Sequence, residues 1–446
     1  MSSRPGVLLY NPISNEGHLD SWHVLFIETF LTAGWKVVPV STDPQGLRLK
    51  LERKGLWQHP QLVWPKGLEE ASSSLFKNAF GLCRRGFRKL SQLFDSTEQR
   101  TQRALAARFL DPQAFKNDVD RALAQHGSDI GLILNMYVDG YLAQSPSWKG
   151  AVFTESASSD ILQTIPWAGL CITPERLGEN QQTTPDCYAL AQYRGTCFLQ
   201  EDATQAYQHS FPDKNFAFLP DITDTDLPTE PNALAIKIKQ RAAGRKIVFL
   251  GGSIGKQKNL VQWANLICNA DPKKWYFVQI GRISHNNLSK EDEQALAILD
   301  QRKPENLYIH AEYLPDETSF NAILADADII FAVYRDFYRS SNMLSKAAYF
   351  EKPILVSAGC LMGERVARYG IGLAVASTSA PEILAGLDAT LHIDDLKSKF
   401  AAYRAVFNRG EFDRSLMSFA TRCLQQSPRS CQDGNASESN MKVLNA

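Results

Sequence analysis

Short apolar runs alternate along this chain with stretches that repeat their apolar residues at helical spacing. Residues 6–10 (GVLLY) form the first run, and 11–18 (NPISNEGH) a polar loop. Asp20 or Ser21 then caps a helix carrying Trp22, Leu25, Phe26, Thr29 and Phe30, and Ala33-Gly34 ends it. A second strand follows at 35–40 (WKVVPV). Further strands are predicted at 130–136, near 151–154, and at 168–172, 195–199 and 216–219. The second half is more regular. Strand 246–250 (KIVFL) is followed by a glycine loop and a helix at 260–269. Then come strand 275–280 (WYFVQI), a polar helix near 289–301, strand 307–310, helix 316–326, strand 328–333 (DIIFAV), helix 342–351 and strand 353–357 (PILVS). Repeated strand–helix order predicts an α/β fold of parallel sheets covered by helices.

Two such patterns imply two Rossmann-like, doubly wound domains. The first spans about 1–225 and the second about 235–395. Between them, 221–234 is rich in Pro, Asp and Thr and reads as a linker. Residues 66–125 are helical in pattern, without a clear strand, and read as a basic insertion. Helices are expected at 396–425, and 426–446 is polar and expected to be disordered.

The chain has 446 residues, which at roughly 100–200 residues per domain suits two or three domains. Its formal net charge is zero, so the overall balance supplies no electrostatic case for nucleic acid, and no such partner is expected. No apolar stretch reaches the roughly 18–20 residues of a membrane span, and the run at 7–10 is too short for a signal peptide. Eight cysteines include no Cys-x-x-Cys pair and no neighbouring His cluster, so reduced thiols in a cytoplasm are expected rather than zinc or disulfides. Residues 76–94 set Phe76, Phe80, Phe87, Leu90 and Phe94 beside Lys77, Arg84, Arg85, Arg88 and Lys89. Such a helix either lies on an anionic membrane, at the inner face of a cytoplasmic membrane, or packs as a basic solvated helix. Gly81 and Gly86 weaken its helical character.

Two loops in the second half carry the candidate chemistry. In 251–259 (GGSIGKQKN) a strand empties into glycines and then opens a helix. Glycine lets backbone N–H groups approach an anion, and the helix N-terminus adds partial positive charge. Lys256 and Lys258 can neutralise a diphosphate; alternatively this is a tight turn with solvated lysines. The loop 334–342 (YRDFYRSSN) follows strand 328–333 on the side where ligands of open sheets bind. Ser340, Ser341 and Asn342 offer hydroxyl, amide and N–H groups, and Ser341 or Asn342 suits a helix cap.

These motifs, taken in order, resemble the donor domain of retaining GT-B glycosyltransferases of the glycogen-synthase and sucrose-synthase type. Residues 218–224 (FLPDITD) are similar to the interdomain "iPNGvD" stretch. Gly252 with Lys258-Asn259 parallels "GRLxxxKN", 278–282 (VQIGR) parallels "lviGxG", and 324–329 (LADADI) parallels "yaxADv". Residues 342–354 (NMLSKAAYFEKPI) parallel "nKLxEAMAxGkPVi". The resemblance covers about 216–375. It implies two domains facing a cleft, and a transferase that moves sugar from a nucleotide diphosphate sugar to a saccharide, lipid-linked or protein acceptor. It further implies retention of configuration, with neither metal nor cofactor required. Implied donor-side residues are Gly252, Ser253, Lys258, Asn259, Gly281, Arg282, Tyr313, Tyr334, Ser340, Ser341, Asn342 and Lys346.

The chain departs from the pattern at three points. Ser253 replaces an arginine, and Tyr338 and Lys346 stand where the family has glutamates. A lysine cannot accept hydrogen bonds from ribose hydroxyls, but it can meet phosphate as a point charge. On the acceptor side, Asn15, Gly17 and His18 occupy the loop after the first strand; His18 either binds phosphate or moves a proton, or is a surface-loop histidine. Asp139 and Glu155, at later strand ends, complete the catalytic candidates; acids there also serve as helix caps. A degenerate binding protein, a sugar-nucleotide epimerase of the same architecture, and a membrane-surface scaffold remain as other readings.

Overall fold

The computed structural model describes residues 5–14, 19–65, 112–126, 129–139, 164–174, 188, 190–312, 314, 317–376 and 378–426. The expected strand near 151–154 and the segment 76–94 lie outside them. The chain divides into two compact units. Unit 1 comprises Met1–Ser14, His23–Ala217 and Leu416–Ala446, and unit 2 comprises Asn15–Trp22 and Phe218–Ser415.

Unit 1 is built on β1 (Gly6–Asn11), β2 (Lys36–Ser41), β3 (Ile130–Asn135), β4 (Trp167–Cys171), β5 (Tyr193–Phe198) and β6 (Asn215–Phe218). Their order in the sheet is β2-β1-β3-β4-β5-β6. Helices α1 (Leu19–Thr32), α2 (Pro44–Arg53), α3 (Pro112–His126) and α4 (Glu201–Ser210) accompany it. Strands β1, β4 and β5 are buried at every position, as expected of parallel strands covered on both faces. Aromatic rings fill one side of the sheet: Trp167 meets Tyr193 at 4.5 Å, and Phe115 meets Tyr10 at 4.8 Å between centroids.

Unit 2 begins with α5 (Ala233–Ala242), then alternates strand and helix. The order is β7 (Lys246–Gly251), α6 (Leu260–Asn269), β8 (Trp275–Ile280), α7 (Lys290–Arg302), β9 (Leu307–His310), α8 (Glu317–Ala325), β10 (Ile329–Ala332), α9 (Met343–Tyr349), β11 (Ile354–Ser357), α10 (Leu361–Tyr369), β12 (Gly372–Val375) and α11 (Ala380–Thr390). Helices α12 (Leu396–Val406) and α13 (Arg409–Gln425) follow. The sheet order is β12-β11-β10-β7-β8-β9, parallel throughout. The chain therefore leaves β7 outward through β8 and β9, then returns to lay β10 on β7's other edge. Ligands bind at such a reversal, outside the carboxyl ends of the two central strands.

The expected strands of unit 2 appear within a residue or so of their sequence limits. The strand predicted at 328–333 starts at Ile329 because Asp328 is otherwise engaged: its carboxylate accepts the Ile247 N–H at 2.8 Å and pairs with Lys246 at 2.9 Å. Helices α5, α10 and α11 and strand β12 of unit 2 were not anticipated. Helix α5 follows directly on the Pro-rich segment, started by Asn232, whose side chain accepts the Ala235 N–H at 2.9 Å. Strand β12 (GLAV) is a short, partly exposed edge. Among the described residues no helix is long and apolar enough to cross a membrane.

Two buried polar side chains sit in these cores at a cost. Gln279, in the middle of β8, is fully buried, and neither its amide oxygen nor its nitrogen has a partner. Replacing it by methionine, of similar shape, removes that penalty. Gln279→Met is expected to stabilise unit 2 by about 1–3 kcal/mol, read as a higher urea midpoint with unchanged slope. In unit 1, His23 is enclosed by α1 and its surroundings; burial pushes its pKa down to about 3, opposed by the Leu9 backbone and assisted by Lys50. The unfolded chain takes up this proton near pH 6.5 and the folded chain does not. Stability from this group is therefore present above pH 6.5 and falls as pH drops toward 3, by up to about 1.4 kcal/mol per pH unit. His23→Leu should flatten that part of the stability–pH curve; an unchanged slope would refute the assignment.

Candidate functional site

The site is assembled where β7 and β10 end. Beyond β7 the chain turns at Gly252, whose φ is +95°, and runs alongside the segment that leaves β8. The Gly252 N–H bonds to Ile280 O at 3.0 Å, Ile254 N–H to Arg282 O at 3.0 Å, and Ser284 N–H to Ile254 O at 2.8 Å. Gly281, at φ +134°, permits this approach: a Cβ there would lie 1.9 Å from the Gly252 carbonyl oxygen. The loop closes in a single 3-10 turn, Lys256–Lys258, and reaches α6 through Asn259, a left-handed residue at φ 55°. Asn259 does not cap the helix with its side chain. Its amide donates instead to Val333 O at 3.1 Å, tying the loop to the end of β10. The first N–H groups of α6 thus meet no cap from that residue, which favours an anion at this end.

The loop after β10 is stitched to the loop after β7 by further bonds. Lys258 Nζ donates to Gly251 O at 2.8 Å and to the Tyr334 hydroxyl at 2.7 Å, and lies 4.1 Å from that ring's centroid. The Arg335 N–H bonds to Gln257 O at 2.9 Å. Its guanidinium reaches Lys256 O at 3.1 Å and the buried Asp292 carboxylate at 2.8 Å. Asp292 also closes a capping box with Ser289 at the start of α7, so one carboxylate fixes a helix start and a loop arginine. Arg339 donates to the Gln257 side chain at 3.2 Å. Ser253 and Lys256 are exposed on the loop after β7, and Arg282 on the segment after β8. The balance of charge here is positive, with Lys256, Lys258, Arg282, Arg335 and Arg339 against Asp292 and Asp336.

The remaining residues expected on the donor side are placed as follows. Ser340 is buried, and its hydroxyl accepts from Arg365 Nη1 at 2.8 Å. The Ser341 hydroxyl accepts the Met343 N–H at 3.4 Å, while Asn342 stands at the start of α9 without a side-chain cap. Lys346 is fully buried in α9. It donates to Asp224 O at 3.0 Å and to the Asn321 side chain, and it pairs with Glu317 at 2.6 Å. Three acceptors match the three hydrogens of an ammonium, so Lys346 holds the segment entering unit 2 and has no N–H left for a ligand. Burial lowers its pKa, and Glu317 opposes that shift. Tyr338 is 59% exposed and brings no carboxylate. Asp139 is not open either: its two oxygens accept the backbone N–H groups of Ile172 at 2.9 Å and Thr173 at 2.5 Å, fixing the turn after β4. Asn15, Gly17, His18, Glu155 and Tyr313 lie outside the described residues. Among the described residues no three His, Cys, Asp or Glu side chains gather as a metal site.

Sequence reasoning missed Arg335, Asp292 and Arg365. For Arg365 a signal existed: it stands with Met362 and Val366 in the buried stripe of α10, where a charge needs a partner.

No family model and no curated protein matches the sequence. Solved structures do match in shape. A glycosyltransferase from Rickettsia africae ESF-5 superposes with a TM-score of 0.62 at 10% identity, covering 95% of this chain and 100% of the other. Sucrose-phosphate synthase from Thermosynechococcus elongatus gives 0.57 at 12% identity, covering 95% and 100%. A trehalose-6-phosphate protein from E. coli, bound with UDP-2-fluoro glucose, gives 0.57 at 13% identity, also covering 95% and 100%. The two-sheet α/β fold is that of GT-B glycosyltransferases.

The close approach of Gly281 to Gly252 yields a direct test. Gly281→Ala must push the Gly252 peptide away and adopt a φ that alanine resists. A loss of about 2–4 kcal/mol in the stability of unit 2 is expected, measured by chemical denaturation. Wild-type stability would show that the loops are not packed in this way.

Proposed function

We propose that the protein is a glycosyltransferase that moves a sugar from a nucleotide diphosphate sugar to a hydroxyl of a saccharide, lipid-linked or protein acceptor. The observation that carries this reading is the cationic pair of loops, 251–259 and 334–342, at the strand reversal of unit 2. Proteins similar in shape support it: one is bound with UDP-2-fluoro glucose, one is a glycosyltransferase and one a sucrose-phosphate synthase.

In this reading the diphosphate sits against Gly252, Ser253 and the first turn of α6. Lys258 supplies charge, with Lys256 on the same loop and Arg282 on the segment that leaves β8. The bond between the anomeric carbon and the diphosphate oxygen breaks, the acceptor oxygen forms the new bond, and its proton passes to the departing diphosphate. Negative charge grows on the leaving diphosphate, and fixed cations and N–H dipoles stabilise it without reorganising. Retention of configuration and independence of metal follow from the resemblance of the motifs and belong to the proposal.

A second reading is favoured by one specific feature. No carboxylate stands at 338 or 346, and Lys346 is saturated by protein acceptors. A protein that binds the nucleotide sugar without transferring it would tolerate that change.

Calorimetric titration with UDP, GDP and ADP and with their sugar conjugates tests the proposal. One nucleotide diphosphate should bind saturably, and Lys258→Ala should weaken it by about 10-fold or more, the loss of a charged hydrogen bond. A folded protein that binds none of them would refute the donor site. Binding without transfer or hydrolysis would select the second reading.

A further inference from the structure

The loop after β10 presents two hydroxyls, and each has a cation behind it. Tyr334 accepts from Lys258 at 2.7 Å, and Ser340 accepts from Arg365 at 2.8 Å. Both residues are buried, Tyr334 to 4% exposure and Ser340 to 4%. An oxygen that accepts a hydrogen bond keeps its own hydrogen to give. Neither hydroxyl donates to another group among the described residues. A hydroxyl that accepts from a cation is also polarised, which strengthens it as a donor.

Arg365 backs Ser340 from within the core. The residue is 1% exposed, and its guanidinium lies 4.7 Å from the centroid of Phe407 and 5.9 Å from that of Phe218. A buried guanidinium needs acceptors for its N–H groups, and Ser340 is one of them. On the loop after β10 it donates to the Ser340 hydroxyl. Lys258 is held in the matching way, by Gly251 O and by the ring and hydroxyl of Tyr334.

We infer that Tyr334 and Ser340 form a pair of cation-backed hydroxyl donors for the oxygens of a diphosphate, and that Arg365 is a positioning residue acting through Ser340. This rests on the donor-site reading above and deepens it. It supplies direct contacts from a loop in which the carboxylates of the related pattern are absent. It also assigns a role to a buried arginine that never reaches the ligand. Lys258 acts twice, as a charge and as the group that orients Tyr334.

Titration of the full chain with inorganic pyrophosphate and with the nucleoside diphosphates tests the inference. Tyr334→Phe and Ser340→Ala each delete one hydroxyl. Each is expected to weaken pyrophosphate binding by about 10- to 100-fold with an unchanged melting temperature. Arg365→Lys should weaken binding in the wild-type background and have no further effect in Ser340→Ala, because both act on one contact. If Arg365→Lys lowers the melting temperature, the two hydroxyl deletions alone decide the matter. Hydroxyl variants that bind within about twofold of wild type would overturn the inference and leave the donor site standing. So would an Arg365→Lys loss that persists in full without Ser340. A wild-type protein that binds neither probe would remove the donor-site reading, and this inference with it.

Discussion

The reversal of strand order around β7 is the constraint on which unit 2 depends. Because β8 and β10 flank the same strand, the loops leaving β7 and β10 emerge side by side, and the polypeptide must reconcile them. It does so with side chains rather than with a longer sheet. Asn259 gives up helix capping to hold Val333, Lys258 reaches across to Tyr334, and Arg335 is anchored by Asp292 at the start of α7. Each bond replaces a water contact that an isolated loop would keep. Cations that would repel one another in a looser loop are fixed by carbonyl oxygens and aromatic faces. An anion entering here meets donors that need no reorganisation, and that is the condition for strong electrostatic stabilisation.

Much of this was legible in the sequence, for identifiable reasons. Fully buried parallel strands leave continuous apolar runs, so KIVFL, WYFVQI and DIIFAV marked β7, β8 and β10 directly. Glycines at 252 and 281 marked a tight passage, and the structure gives the cause: one backbone carbonyl occupies the place of a side chain. What could not be read was pairing across long separations. Nothing local to Asp292 announces Arg335, and nothing local to Lys346 announces Glu317 and Asn321. Strand β12 escaped because four residues, Gly-Leu-Ala-Val, are too few to show a period, although they are apolar. On the acceptor side, Asp139 had the right residue type at a strand end, and its oxygens turn out to be engaged by two backbone N–H groups.

Lys346 shows how a departure from a family pattern is read physically. A lysine in place of a glutamate looks at first like a change of ligand chemistry, from accepting hydroxyls to meeting phosphate. Its surroundings argue otherwise. An ammonium with no exposed surface needs acceptors for all its hydrogens, or its burial would be prohibitive. Asp224 O, Asn321 and Glu317 supply them, and Asn321 in turn donates to the carbonyls of Asp224 and Asp226. Ser345, the preceding residue, bonds to Asp221 O. The residues of α8 and α9 therefore bind the backbone of 221–226 at several points. With Glu317 beside it, Lys346 adds almost no net charge to its neighbourhood. The positive field near the crevice must then come from the loops themselves, from Lys256, Lys258, Arg282 and Arg339. The chemistry lost from α9 and the chemistry kept on the loops are separable, because the first group faces a peptide segment and the second faces the end of the sheet.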